Sequence, residues 1–184
     1  MSVRNKACCV LGLALLAAGL ACAQDTPPGE YRVKAAFLWN FAKFIQWPTN
    51  AFANEAAPFV IGVLGEDPFG DDLVKTVRDK QINTHPITVK PFRTVSDAKE
   101  CHLLFISTSE TNRLADIFKS LSGSPILTVG DVGETGKFTE AGGMINFVFE
   151  GNKIRFQVND DAAKAANLKI SSKLLSLAVP GPSR

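Results

Sequence analysis

Cys101 and His102 stand side by side, and a thiol next to an imidazole invites comparison with cysteine nucleophiles. Adjacency works against that chemistry here. Cys101 opens the apolar run Cys101-His102-Leu103-Leu104-Phe105-Ile106, and neighbours on a strand point to opposite faces. Ser171-Ser172-Lys173 offers a second nucleophile and base, but an S-x-x-K site needs serine and lysine three residues apart on one helical face, and Ser172 directly precedes Lys173. Ser171 is instead expected to cap the last helix. Glu66 and Asp67 follow the apolar run from Phe59 to Gly65, at the carboxyl end of an expected strand, where open α/β sheets keep their ligand crevice. Two acids there would suit a metal or phosphate pocket of the receiver type. The other parts are missing, because the run Ile126 to Val129 ends in Gly130-Asp131 and not in lysine, and Cys101 to Ser107 ends without an aspartate. Gly62, Gly65 and Gly70 form neither G-x-G-x-x-G nor a P-loop, and His85 and His102 are not spaced as metal ligands. The expectation is a protein without catalytic residues, metal or cofactor, whose candidate ligand crevice is at Glu66 and Asp67.

The elements that would position these residues read as a single α/β domain. Tyr31 to Trp47 has no glycine or proline and stops at Pro48, which predicts a helix with Val33, Phe37, Leu38, Phe41, Phe44 and Ile45 on one apolar stripe. Phe59–Gly65 is apolar throughout, as a strand covered on both faces must be. Helices are expected from Asp71 to Lys80 and from Glu110 to Leu121, the latter capped by Ser109 with Leu114, Ile117, Phe118 and Leu121 inward. Ile87–Phe92, Leu103–Ile106 and Ile126–Val129 supply further strands. Met144–Phe149 and Ile154–Val158 alternate around Glu150-Gly151-Asn152-Lys153, the pattern of a tight hairpin. Gly142-Gly143 marks a bend before it, and a helical stretch from Asp161 to Leu177, broken near Asn167, closes the domain. The predicted architecture is a mixed sheet of about five or six strands, parallel at first and antiparallel at the C-terminal hairpin, with helices on both faces.

The first 23 residues read as an export signal: Arg4 and Lys6, an apolar run from Ala7 to Leu20, and Ala21-Cys22-Ala23 ahead of Gln24. The run is short for a transmembrane helix. Acylation of Cys22 is the competing reading, although Gly19 and Leu20 fit a lipoprotein signal poorly. Residues 24–30 are expected to be a flexible lead-in, 31–178 the folded domain and 179–184 a flexible tail. Loss of Arg4 and Lys6 from twenty basic residues leaves the mature chain balanced against eighteen acidic ones. Such a surface does not attract nucleic acid. Cys8, Cys9 and Cys22 leave with the signal, so Cys101 remains as a lone thiol, either buried as a small hydrophobe or available to bridge two chains.

On the first helix, Trp39 points away from the apolar stripe and shares its face with Lys43 and Gln46. An exposed tryptophan beside polar residues suits a protein contact; the alternative is that another layer of the domain covers this face. Lys34 falls inside the stripe, where it must reach solvent or meet a carboxylate.

The blocks KAAFLWNFAKFIQWP, VIGVLGEDPFG, CHLLFIS, GGMINFVFEGNKIRFQVN and ANLKISSKLLSLA, in this order, resemble the YfiR family of periplasmic proteins. The resemblance implies a regulator that restrains a membrane-bound diguanylate cyclase through its periplasmic region, answers to an outer-membrane lipoprotein and to redox state, and so governs cyclic di-GMP, biofilm formation and motility. A homodimer is expected. The lone Cys101 departs from the disulfide-bearing members, which puts redox control within one chain in doubt. A small-molecule binding module using the crevice at Glu66 and Asp67 is the other reading.

Overall fold

The computed structural model describes residues 29–133 and 136–181; the export signal expected over 1–23, with Cys22, lies outside the described residues. The chain runs α1 (Glu30–Lys43), β1 (Ile45–Gln46), β2 (Phe59–Leu64), α2 (Asp71–Val77), β3 (Gln81–Ile82), β4 (His85–Phe92), β5 (Leu103–Ile106), α3 (Leu114–Leu121), β6 (Leu127–Gly130), α4 (Lys137–Glu140), β7 (Ile145–Glu150), β8 (Lys153–Val158), α5 (Asp160–Ala165), β9 (Lys169–Ile170) and α6 (Ser172–Leu175). Among the described residues seven strands form one sheet in the order β3-β4-β2-β5-β6-β7-β8, and β1 pairs with β9 in a second, two-stranded sheet. Strands β4, β2, β5, β6 and β7 are mutually parallel, while β3 and β8 add antiparallel edges. The chain passes from β2 to β4 on one side and then crosses to β5 on the other, so the connection reverses between β2 and β5 as in doubly wound sheets.

Two cores explain why the central strands are apolar throughout. Phe59, Ile61 and Val63 of β2, Leu103 and Phe105 of β5 and Leu127 and Val129 of β6 pack under α1, α2 and the C-terminal elements. Their neighbours Val60, Leu64, Leu104 and Ile106 pack with Leu114, Ile117 and Leu121 of α3 and Phe138 of α4. Period-two alternation sends successive side chains to opposite faces, and each face is covered. Phe138 is fully buried between Gly130 and Gly143, where a Cβ on either glycine would overlap its ring. The Gly142-Gly143 pair therefore serves this packing as well as a bend, with Gly142 at φ 113°. Gly151, in the two-residue hairpin between the paired Glu150 and Lys153, has φ 59°.

Several local expectations are corrected. The first helix ends at Lys43, four residues short of Trp47, because Ile45 and Gln46 are drawn into the ladder with Ile170 and Lys169, and the Ser171 N–H donates to Phe44 O. Its buried face is Lys34, Ala35, Leu38, Phe41 and Ala42, rotated from the expected stripe, and Val33 is 46% exposed. Thr108–Arg113 is a 3-10 turn ahead of α3, so Ser109 caps no α-helix. The expected helix from Asp161 to Leu177 is two short helices parted by β9, with Asn167 in the left-handed region at φ 58°, and Ser171 accepts from the Leu174 N–H as the cap of the last one. Glu30, placed in the lead-in, is helical and buried. The tail is tied at its start, since the Val179 N–H donates to Phe156 O and Gln157 Nε2 donates to Pro180 O.

Candidate functional site

At the carboxyl edge, Glu66 and Asp67 follow β2 at the point where the chain reverses direction across the sheet. Both are exposed. Asp67 Oδ1 accepts from the Phe69 N–H at 2.8 Å, the local turn that starts the approach to α2. The Glu66 N–H donates to Ser109 Oγ at 3.0 Å, so Ser109 ties the β2 loop to the segment after β5. Gly65 takes φ 90° there, and a side chain at that position would strike Ser109. No group of three His, Cys, Asp or Glu residues able to hold a metal occurs among the described residues.

One turn of α1 brings a buried charge cluster to the same edge. Lys34 is 1% exposed, and its ammonium donates to Glu30 Oε1 one turn earlier and to both oxygens of Asp131 at 2.7 Å. Tyr31 Oη donates to Asp131 Oδ2, also at 2.7 Å. Burial, followed by the hydrogen bond and charge of Asp131, pushes the phenol pKa up, so Tyr31 stays a proton donor. Asp131 follows β6, and the next residue is fixed by Asn146 of β7, which accepts from the Val132 N–H and donates to its carbonyl. The cluster pins the start of α1 to the end of β6. Of the two fates open to Lys34, meeting a carboxylate is the observed one.

Trp39, Lys43 and Gln46 are only partly brought together. Trp39 is half-buried against the core, with the Lys43 and Lys80 ammonium groups 3.7 and 3.9 Å from its ring centroid. Of the two readings of this face, coverage by another part of the domain is the observed one: the ring packs on the core, and Lys80, from the segment after α2, lies over it. Lys43 and Gln46 are exposed, but Gln46 lies on β1, beyond the helix whose face it was expected to share.

The opposite, amino edge holds a cluster that the sequence did not announce. Phe52 stacks on His85 at 3.9 Å and on His102 at 4.4 Å between ring centroids, with interplanar angles of 6° and 16°. Two imidazoles at these distances cannot share one ring face, so Phe52 lies between them. The Val60 N–H donates to His102 Nδ1, which leaves the proton on Nε2 to donate to Ala51 O. His85 Nδ1 contacts Ala57 O at 2.7 Å. The two histidines thereby hold the segment carrying Phe52 against the sheet. Burial, opposed by the Ala51 hydrogen bond and reinforced by His85, keeps His102 below the ordinary imidazole value. A depressed histidine is fully stabilising above its unfolded value of about 6.5 and loses that contribution as pH falls toward its folded value. Urea midpoints are therefore expected to fall from pH 7.5 to pH 5, with a shallower slope in His102→Gln; equal slopes would refute the assignment.

Cys101 is 4% exposed and lies in the core on the α3 side, whereas His102 faces the Phe52 side. Burial pushes its thiol pKa up to about 12. A thiol so protonated and covered is a poor nucleophile. Native protein at pH 8 is expected to react with a thiol-specific disulfide reagent at least about a hundredfold more slowly than urea-unfolded protein; equal rates would restore Cys101 as a bridging residue.

Among the described residues no helix is long and apolar enough to cross a membrane. No curated protein matches the chain. The sequence model of the YfiR/HmsC-like family matches residues 31–179, from the first turn of α1 to the residue whose N–H pairs with Phe156, and so takes in the whole sheet and, but for Glu30, both edge clusters. The chain belongs to the YfiR/HmsC-like family, a family of periplasmic regulators and not of known enzymes.

Proposed function

We propose that the chain is exported by removal of residues 1–23 and acts in the periplasm as a non-enzymatic regulator. It binds the periplasmic region of a membrane-bound diguanylate cyclase, restrains it, and keeps cyclic di-GMP low, limiting biofilm formation. The family match along nearly the whole domain carries this reading. The chemistry of the buried groups agrees with it: Lys34, Asp131, His102 and Cys101 are each committed to internal contacts. Family membership also motivates a second copy of the chain and an outer-membrane lipoprotein as further partners. The candidate contact surface is Lys43 and Gln46, with Trp39 as the packed ring beneath. Trp39 is a poor probe, because truncating a ring packed on the core also destabilises the fold.

Deleting the gene is expected to raise cellular cyclic di-GMP. Lys43→Glu combined with Gln46→Glu is expected to weaken binding to the isolated periplasmic region of the cyclase at least about tenfold, with the fold retained by circular dichroism. A nucleotide level unaltered by deletion would refute the regulatory role; unaltered binding by the double variant would refute the contact surface.

A further inference from the structure

Small-molecule binding was expected at Glu66 and Asp67, but the more suitable concavity lies at the other end of the sheet. We infer that the amino edge carries a binding site for a small organic anion, seated between the end of α1 and the turn joining β3 to β4. The concavity has a volume of about 590 Å³ and is lined by Lys43, Gln46, Trp47, Thr49, Asn83 and His85 among others. That volume falls within the ordinary range of ligand pockets. No Asp or Glu lines it, so its charged and polar walls are rich in hydrogen-bond donors and carry no fixed negative charge.

The surrounding cations strengthen the argument. Lys43, which lines the concavity, and Lys80 both lie within 4 Å of the Trp39 ring centroid. Lys169 stands opposite Gln46 in the β1–β9 ladder, and the Lys173 ammonium is 5.6 Å from the Phe44 ring centroid. Among the described residues none of these four lysines pairs with a carboxylate, whereas Lys34, Lys75, Lys90 and Lys164 each do. Aromatic faces compensate such charges only in part. With Lys43 in its wall, Lys169 opposite its lining residue Gln46 and no carboxylate in the lining, the donor-lined hollow favours an oxyanion. The indole N–H groups of Trp39 and Trp47, at this same end, are buried without an acceptor. The pocket size favours a metabolite bearing a carboxylate or phosphate over an acidic protein segment. Because Lys43 and Gln46 also belong to the proposed contact surface, an anion held here would compete with the cyclase, but the site stands without that reading.

The mature chain, titrated separately with succinate and with inorganic phosphate in 150 mM salt, is expected to show saturable nitrogen–proton shifts. These centre on the Trp47 indole and the Asn83 and Gln46 amides, with a Kd of about 1 mM or tighter for at least one probe. Preference between the two probes assigns the head group. Lys43→Gln with Lys80→Gln, on surface and half-buried positions, is expected to weaken binding about tenfold or more while the dispersed amide spectrum of the folded chain is kept. The inference is overturned if neither probe saturates, if the shifts spread over the lysines at large, if the double variant binds equally well, or if only a polyglutamate peptide binds. All are read on the isolated chain, so failure here leaves the regulatory role to its own test.

Discussion

Asp131→Ala is expected to lower the free energy of unfolding by about 3 to 5 kcal/mol, the cost of stranding a buried charge. Lys34 would keep Glu30 as its carboxylate partner, and Tyr31 would lose its acceptor. Adding Lys34→Met should recover half of the loss or more, because the methionine side chain fills much of the same space and needs no counter-charge. Glu30 would then stand alone, but it sits in the first turn of α1, where the helix dipole favours a carboxylate. The two positions must therefore be strongly non-additive in urea unfolding. A cost under about 1 kcal/mol for Asp131→Ala, or simple additivity of the pair, would show that the cluster does not hold α1 to the sheet.

The second large effect is centred on Phe138. Truncation to alanine removes a fully buried ring that meets Phe118 edge-on at 5.2 Å, and a loss of about 3 to 5 kcal/mol is expected. The neighbouring glycines make the complementary case. Gly143→Ala places a methyl group in the space the ring occupies and is expected to cost about 1 to 3 kcal/mol through overpacking. Phe138→Leu in the Gly143→Ala background should cost less than the sum of the two single changes, since the smaller side chain makes room. Additive losses would mean that Gly143 is required for its backbone alone.

The parts of the fold that were legible in the sequence share one property: their causes lie within a few residues. Phe59–Leu64 and Leu103–Ile106 announce strands because both faces of each are covered and every position must be apolar. Gly151-Asn152 marks the hairpin, Asn167 the break before β9, and Ser171 the last cap, each through its own backbone preference. The end of α1 was not legible, because its cause is β9, far along the chain. Extending the helical periodicity past Lys43 placed Gln46 on a face that does not exist. Asp131 carried no local sign of its role, being 97 residues from Lys34 and 100 from Tyr31.

The sequence by itself determined the alternation of strands and helices, the apolar faces that must be covered and the family. Those follow from side-chain period, local backbone preference and residue order, which the chain carries before it folds. Only the tertiary structure decided which charges meet in the Lys34 cluster, that Phe52 would lie between two histidines, and that Lys43 would share a hollow at the amino edge with Asn83 and His85. Such meetings depend on strand order and on where helices come to rest, and no local rule encodes contacts between residues brought together by a sheet.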